Sequence, residues 1–295
     1  MMKLLITGAT GFVGASLVHN FVKDFDVSIL TRKTSGTWRI DAIADKIHNV
    51  EYADIADRTA VFAAVSKIKP EVIIHVATYG GFSSETETKK MINANIVGTK
   101  NLLDAAVFEG VAKFINTGSS SEYGIKNCPM NENDVCAPVN FYGITKLAAT
   151  NYCSMVGHSQ KHPVCTLRLF SPYGDLEADS RLYASIVKSI KVDKQPHLAN
   201  PCSVRDFINI DKVVAIYRAM LTVDIPYGEI VNIGSGKQQT VEQFYYSVAK
   251  QFDKAHIKPL WGHAPSRSSE PQYWQADITR LRQILSDNNY DFDRL

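Results

Sequence analysis

Three glycines at fixed spacing constrain this chain most. Gly8-Ala9-Thr10-Gly11-Phe12-Val13-Gly14 follows directly on the apolar segment Lys3–Thr7 and opens an amphipathic stretch over Gly14–Lys23. A strand that turns into a helix through glycines has a specific use for each of them. One makes the tight turn, one lets backbone approach a pyrophosphate, and one lets helix pack on strand. The first N–H groups of the helix, with their positive dipole end, then face the phosphates. The spacing is G-x-x-G-x-x-G, a variant of the commoner G-x-G-x-x-G. Gly8, Thr10, Gly11, Phe12, Val13 and Gly14 are the expected contacts for a dinucleotide.

The rest of the first 170 residues repeats the strand–helix rhythm. Apolar segments at Val27–Thr31, Glu71–Ala77, Lys113–Thr117 and Val164–Phe170 read as strands. Helical stretches are expected over 58–67, 86–110 and 139–156. Strands that are apolar on both faces and alternate with helices predict an α/β fold, a doubly wound parallel sheet covered on both sides. After Ser171 the rhythm breaks at SPYGDLEADSRLY. Residues 1–170 are therefore read as a Rossmann-type NAD(P)-binding domain. Residues 171–295 are read as a smaller C-terminal substrate-binding lobe, part of which returns to the sheet. Strand Glu229–Ile233 and helix Thr240–Gln251 fall in this second part.

Composition narrows the class. Of 295 residues 45% are hydrophobic and 21% charged, enough apolar content for a full core. The net charge of +2 predicts no nucleic-acid or membrane-surface partner. Five cysteines without a C-x-x-C pair argue against a disulfide framework and fit a reducing, cytoplasmic setting. No apolar run approaches the ~20 residues of a membrane span, and the histidines show no metal-ligand spacing, so no metal is expected. His75, inside an apolar strand, reads as a packed, hydrogen-bonded core residue.

The end of the second strand bears on the coenzyme. A carboxylate there would hold the ribose 2′-OH of NAD; here the strand runs into Thr31-Arg32-Lys33. Basic residues at that place pair with a 2′-phosphate, which favours NADP(H), with NAD(H) as the alternative. Asp54-Ile55 follows the short segment 50–53, where a side chain can accept from the adenine amino group. An Asp before a helix also serves as an N-cap.

Two further segments carry chemistry. Tyr142 and Lys146 are four apart on a predicted helix and project from one face. A tyrosine of reference pKa ~10 becomes a useful acid–base group when a lysine ammonium and a nicotinamide cation favour its phenolate. The fourth strand ends in Thr117-Gly118-Ser119-Ser120-Ser121, at the edge where open α/β sheets bind ligands. A serine hydroxyl there can hydrogen-bond a substrate oxygen beside the tyrosine.

Taken together, these residues resemble the extended short-chain dehydrogenase/reductases, and within them the nucleotide-sugar epimerase, dehydratase and reductase group. The resemblance runs over nearly the whole chain. Gly8, Gly11 and Gly14 match the cofactor turn of that group, Asp54-Ile55 its adenine-contacting pair, and His75-Val76-Ala77 its H-x-A beside the cofactor. Asn95 matches its helix asparagine, and Ser119, Tyr142 and Lys146 match its catalytic serine, tyrosine and lysine. Arg205-Asp206-Phe207, Asn232-Ile233-Gly234 and Arg267 match segments near the nucleotide sugar. One departure is Ser171-Pro172-Tyr173-Gly174, where the family often shows N-V-Y-G.

The resemblance implies hydride and proton exchange at a sugar C4, with Tyr142 moving the proton, Lys146 on the nicotinamide ribose and Ser119 on the sugar oxygen. Ala77 and Asn95 would then lie on the cofactor, and Ser120, Ser121, Arg205 and Arg267 on the substrate. Family dehydratases carry acids directly after the catalytic Ser/Thr; Ser120 and Ser121 occupy those places, with Glu122 one residue later, so dehydration is disfavoured. The expected activity is NADPH-dependent reduction of a nucleoside-diphosphate 4-keto-6-deoxyhexose. The alternatives are an NAD-dependent 4-epimerase and a non-catalytic dinucleotide sensor. A lipid-like or aromatic ketone substrate is disfavoured by the arginines at 205 and 267. The family also implies a homodimer built on the helices over 86–110 and 139–156.

Overall fold

A computed structural model describes residues 1–263 and 271–295. Seven strands form one parallel sheet: β1 (Lys3–Thr7), β2 (Asp26–Thr31), β3 (Asn49–Tyr52), β4 (Val72–His75), β5 (Lys113–Ser119), β6 (Val164–Leu169) and β7 (Glu229–Ile233). Their order is β7-β6-β5-β4-β1-β2-β3. The chain winds outward in one direction over β1 to β3 and in the other over β4 to β7, so the order reverses between β1 and β4. This is the expected doubly wound α/β sheet, and its carboxyl edge at that reversal is where such folds bind ligands.

The expected strands and helices are present, with ends shifted by a few residues. One strand was not expected. Asn49–Tyr52 is a half-exposed edge strand of alternating character, paired with β2 through Ser28–Asn49 to Thr31–Tyr52. After the lobe begins, Glu229–Ile233 comes back to pair with β6, with Glu229 opposite Cys165 and Ile233 opposite Leu169.

The helices are α1 (Phe12–Phe21), α2 (Arg58–Ile68), α3 (Gly98–Phe108), α4 (Phe141–Gln160), α5 (Leu182–Ile190), α6 (Ile210–Met220), α7 (Val241–Gln251) and α8 (Thr279–Asp287). The strand period of two sorts side chains onto the two faces of the sheet. Leu4, Ile6, Ile29, Ile74, Ile115 and Leu167 pack with α1, α6 and α8. Leu5, Leu30, Ile73 and Phe114 pack with α2, α3 and α4. A third, smaller core joins Ile186 and Ile190 of α5 to Phe244, Tyr245 and Val248 of α7 in the lobe, beside stacked Phe207 and Phe244 rings 3.9 Å apart.

Asp57 and Asn140 cap α2 and α4, accepting from the N–H groups of Ala60 and Gly143. The helical stretch leading into α3 is interrupted by a π-helical segment, Ile92–Val97. Such segments commonly mark functional sites, and this one buries Asn95. Among the described residues no helix is long and apolar enough to cross a membrane.

Phe114 is fully buried between the sheet and the helices that carry the site. Phe114→Ala is expected to cost about 3–5 kcal/mol in denaturant unfolding, since the cavity opens where the backbone is pinned on both sides. A loss under about 1 kcal/mol would mean that this face is loosely packed.

Candidate active site

The glycine turn is built for backbone only. Gly8 has φ +67°, and a Cβ there would lie 2.5 Å from the Ala77 nitrogen. A Cβ on Gly14 would lie 2.1 Å from the Gly8 carbonyl oxygen. Gly11 begins α1 as its N-cap and offers no side-chain cap, so the first N–H groups of the helix have no partner from that residue. Phe12 and Val13 are half-buried along the same turn. A closed glycine bend under uncapped helix N–H groups fits a dinucleotide diphosphate.

The neighbouring strand end is fixed by a chain of hydrogen bonds whose direction can be worked out. The Thr99 hydroxyl donates to the Asn95 carbonyl at 2.7 Å. It therefore accepts from His75 Nε2–H at 2.9 Å, and His75 Nδ1 accepts from the Thr7 hydroxyl at 2.7 Å. The Thr7 oxygen accepts in turn from the Ala77 N–H at 3.3 Å. His75 thus sets the position of Ala77 against Gly8. Its pKa is pushed down to about 3 by burial and then by the Lys146 charge, so it is neutral and structural.

Asn95 is fully buried, and every hydrogen-bonding position of its amide is spent on protein. Its Oδ1 accepts from the Thr78 hydroxyl and the Tyr79 N–H; its Nδ2 donates to the Tyr79 carbonyl and the Thr145 hydroxyl. The expectation that Asn95 contacts a cofactor is corrected accordingly. It joins the loop after β4 to the first turn of α4 and positions both.

Tyr142 lies in that first turn, half-buried, with Ser119 and Thr78 near its hydroxyl. Gly80, at φ +100°, brings the loop after β4 onto the tyrosine ring; a Cβ there would sit 3.1 Å from it. The serine run docks on the same turn, since a Cβ on Gly143 would be 2.4 Å from the Ser121 carbonyl oxygen. Ser119 Oγ accepts from the Ser121 N–H at 3.2 Å, which leaves its own proton free to donate. Ser120 is buried and Ser121 half-buried beneath it.

Sequence reasoning passed over two contributors here. Thr78 follows the H-x-A segment, and the nearest available signal was its place at a strand's carboxyl end. Glu122 was weighed only as an acid one residue beyond Ser121.

The structure gives Glu122 a different task. Its carboxylate is fully buried and accepts from the Ser119 N–H at 2.8 Å, the Thr150 hydroxyl at 3.0 Å and Arg168 Nε at 2.7 Å. With Ser119 it forms a capping box around the short turn Ser120–Glu122. It therefore cannot act on a sugar. Burial alone would lower the Arg168 pKa, but Glu122 opposite it raises it.

The charges around the phenol work against ionisation. Burial raises the Tyr142 pKa; Thr78 and Ser119 pull it down, Glu122 pushes it up and Arg181 lowers it, with a net rise. Lys146 is buried too, which lowers its pKa, while Glu122 and then Cys153 raise it. Burial is the largest cause of that rise, and the phenolate expected beside a bound nicotinamide cation would have to overcome it.

The remaining expected contacts are dispersed. Arg32 and Lys33 are exposed just past β2. Asp54 is exposed, with its carboxylate accepting from the Ala56 N–H, while Ile55 packs on Gly98. Arg205 stacks near Trp274, its guanidinium carbon 5.7 Å from the ring centroid. Asp206 is fully buried and accepts from the Ser235, Gly236 and Ala276 N–H groups and the Ser235 hydroxyl. It shapes the loops beyond β7. Arg267 lies outside the described residues.

The family model described as NAD dependent epimerase/dehydratase matches residues 4–234. The chain belongs to that family. A Bacillus subtilis (strain 168) relative named "uncharacterized UDP-glucose epimerase YtcB" is 25% identical, covering 96% of this chain and 92% of its own. Among solved structures, the UDP-glucuronic acid 4-epimerase from Bacillus cereus, in complex with UDP-glucuronic acid and NAD, is 26% identical. It has a TM-score of 0.83 and covers 97% of this chain and 93% of its own. The UDP-N-acetylglucosamine 4-epimerase from Methanobrevibacter ruminantium M1 has the same fold, with a TM-score of 0.85 at 19% identity, covering 96% and 91%.

Two tests follow from the buried network. Glu122→Ala leaves Arg168 buried without a counter-ion and is expected to cost about 3–5 kcal/mol, whereas Glu122→Met with Arg168→Met costs far less. Equal losses in chemical unfolding would mean that the pair is not coupled. His75 makes stability depend on pH. Its folded pKa lies below its unfolded value of ~6.5, so the contribution is complete above ~6.5 and is lost as pH falls toward about 3, at roughly 1.4 kcal/mol per unit. His75→Gln should flatten that slope; an unchanged slope would exclude the histidine.

Proposed function

We propose that this protein is an NAD-dependent 4-epimerase of a nucleoside-diphosphate hexose, with UDP-sugars as the substrate class. The observation that supports the reading is that Tyr142 and Ser119 lie close enough to interact at the carboxyl edge of β5, while the neighbouring acid, Glu122, is locked in an ion pair. The relatives support an epimerase over the ketoreductase first expected. Solved relatives also hold NAD rather than NADP, and exposed Arg32 and Lys33 give little ground for a dedicated 2′-phosphate site.

The dinucleotide, when bound, supplies the hydride acceptor and donor; the turn Gly8–Gly14, Ala77 and Lys146 would hold it. The protein's part is to move one proton. Tyr142, as the phenolate that a bound cation favours, would take the proton of the C4 hydroxyl as the C4–H bond breaks, becoming the neutral phenol, and would return that proton to the 4-keto oxygen when the hydride comes back to the other face. Ser119 O–H donates to the same sugar oxygen and fixes its position. Arg205, near Trp274, would meet the anionic diphosphate of the substrate. The epimerase neither gains nor loses electrons over the cycle, so no second substrate is needed.

Exposed apolar side chains of the helical stretch around α3 and of α4, among them Ile92, Phe108, Ile144 and Met155, fit a dimer across these helices. UDP-glucose, UDP-N-acetylglucosamine and UDP-glucuronic acid should each be incubated with the protein and the C4 epimer followed by NMR. One of them is expected to interconvert without added coenzyme, and Tyr142→Phe should lower that rate by ~10²–10⁴. Turnover confined to a 4-keto sugar nucleotide with consumption of NADPH would return the reading to a reductase.

A further inference from the structure

Arg39 is the one feature beside the glycine turn that neither the family resemblance nor the proton chemistry explains. Its Nη1 donates to the Thr10 carbonyl in the turn at 3.2 Å, and its Nε donates to the Leu176 carbonyl at 2.7 Å. The guanidinium carbon lies 4.2 Å from the centroid of the Trp38 ring. Its own carbonyl accepts from His19 Nε2–H on α1 at 2.7 Å. The side chain is therefore fixed at both ends and on one face.

Two observations point to an anionic ligand. Arg39 has no carboxylate partner among the described residues, although it is half-buried and its pKa is lowered by desolvation alone. A partly buried cation without a counter-ion costs free energy and is retained where a ligand supplies the charge. Of its five N–H donors, two are spent on the carbonyls above, and the others remain on the guanidinium edge. The second observation is Leu176, which holds φ +69°, a left-handed conformation costly for a leucine. Strain of this kind persists where surrounding contacts impose it. Here the Arg39 bond catches the carbonyl of the strained residue.

The segment that begins at Leu176 continues to Arg181. That arginine donates to the Gly81 carbonyl at 3.3 Å, and its charge acts on Tyr142. A physical path thus runs from the glycine turn, through Arg39 and Leu176, to the wall around the phenol.

We propose that Arg39 neutralises a phosphate of the bound dinucleotide and, through Leu176, ties the occupied turn to the substrate-side loop over residues 174–181. This rests on reading the turn as a dinucleotide site. The phosphate belongs either to the diphosphate or to a ribose 2′-phosphate. Occupancy of the turn then fixes the loop that carries Arg181, so cofactor retention and the setting of the catalytic wall are linked.

The test is equilibrium binding of NADH, NADPH, ADP-ribose and adenosine to the purified full chain, followed by fluorescence or calorimetry at two salt concentrations. Hydrogen exchange over 174–181 is measured in parallel. Arg39→Gln should weaken NADPH at least tenfold, flatten its salt dependence and leave adenosine unchanged. Loss for NADPH alone assigns the 2′-phosphate; equal loss for NADH and NADPH assigns the diphosphate. Arg39→Lys keeps the charge but replaces the rigid planar fork that spans the Thr10 and Leu176 carbonyls with a single ammonium on a flexible stem. It should bind NADH within about threefold of the parent, yet fail to protect 174–181 when NADH is added. Should Arg39→Gln not fold, Arg39→Lys and a salt titration of the parent carry the same test. Binding by Arg39→Gln within twofold of the parent, with Arg32→Ala and Lys33→Ala weakened instead, would overturn the proposal. A parent that binds no dinucleotide at all would overturn the reading of the turn, and this proposal with it.

Discussion

One buried carboxylate organises the catalytic edge. Glu122 joins the backbone of Ser119 on β5, the Thr150 hydroxyl on α4 and the Arg168 guanidinium on β6. These three elements carry or border every group that could move a proton. Removing two charges from water is expensive, and the pair recovers that cost only through good geometry and further hydrogen bonds. The network meets this in part: Arg168 also lies over the Tyr123 ring at 4.7 Å and Tyr123 donates to Asn232 on β7 at 2.7 Å, whereas Arg168 Nη1 is buried without a hydrogen-bond partner among the described residues. The ion pair is weak evidence for stability in itself. Its value lies in register: it fixes the end of β5 that carries Ser119 against α4, the helix that carries Tyr142 and Lys146.

A second polar chain does the same for the cofactor side. Thr7, His75, Thr99 and Asn95 pass hydrogen bonds from β1 through β4 to the helical stretch leading into α3, and Asn95 hands the order on to Thr145 of α4. Both chains end on α4, one at Thr150 and the other at Thr145. A neutral histidine suits this place because its two ring nitrogens give one donor and one acceptor, and the Thr99 proton fixes which is which. An ionised histidine would break the chain at Thr7.

Much of this was legible in the sequence because the signals are local. The glycine spacing, the doubly apolar strands and the tyrosine–lysine spacing of four each depend on a few adjacent residues, and the structure places them as expected. The edge strand Asn49–Tyr52 escaped because a half-exposed strand carries little apolar signal. Glu122 and Arg168 are 46 residues apart, and Arg39 reaches Leu176 across 137, so neither pairing leaves a trace in local pattern. Asn95 shows the converse error. Its residue type suggests a ligand contact, whereas burial inside a π-helical turn consumes its whole amide. The second strand's Arg32 and Lys33 looked like a phosphate site by position alone, yet the arginine enclosed at the turn is seven residues further on.

The electrostatics of the wall also explain why a neutral resting phenol does not argue against acid–base work. Burial moves Tyr142 and Lys146 toward their uncharged forms, raising one pKa and lowering the other. The Glu122 charge helps Lys146 keep its proton and hinders Tyr142 from losing one. In so desolvated a site, a single added positive charge acts through a low dielectric and outweighs what it would do in water. Any cation bound against this wall therefore favours the phenolate. The phenol is set to give up its proton only once a ligand brings that charge, which keeps proton transfer coupled to an occupied site. Ser119 needs no such adjustment. Its oxygen accepts from the Ser121 N–H, and its own proton remains available to donate.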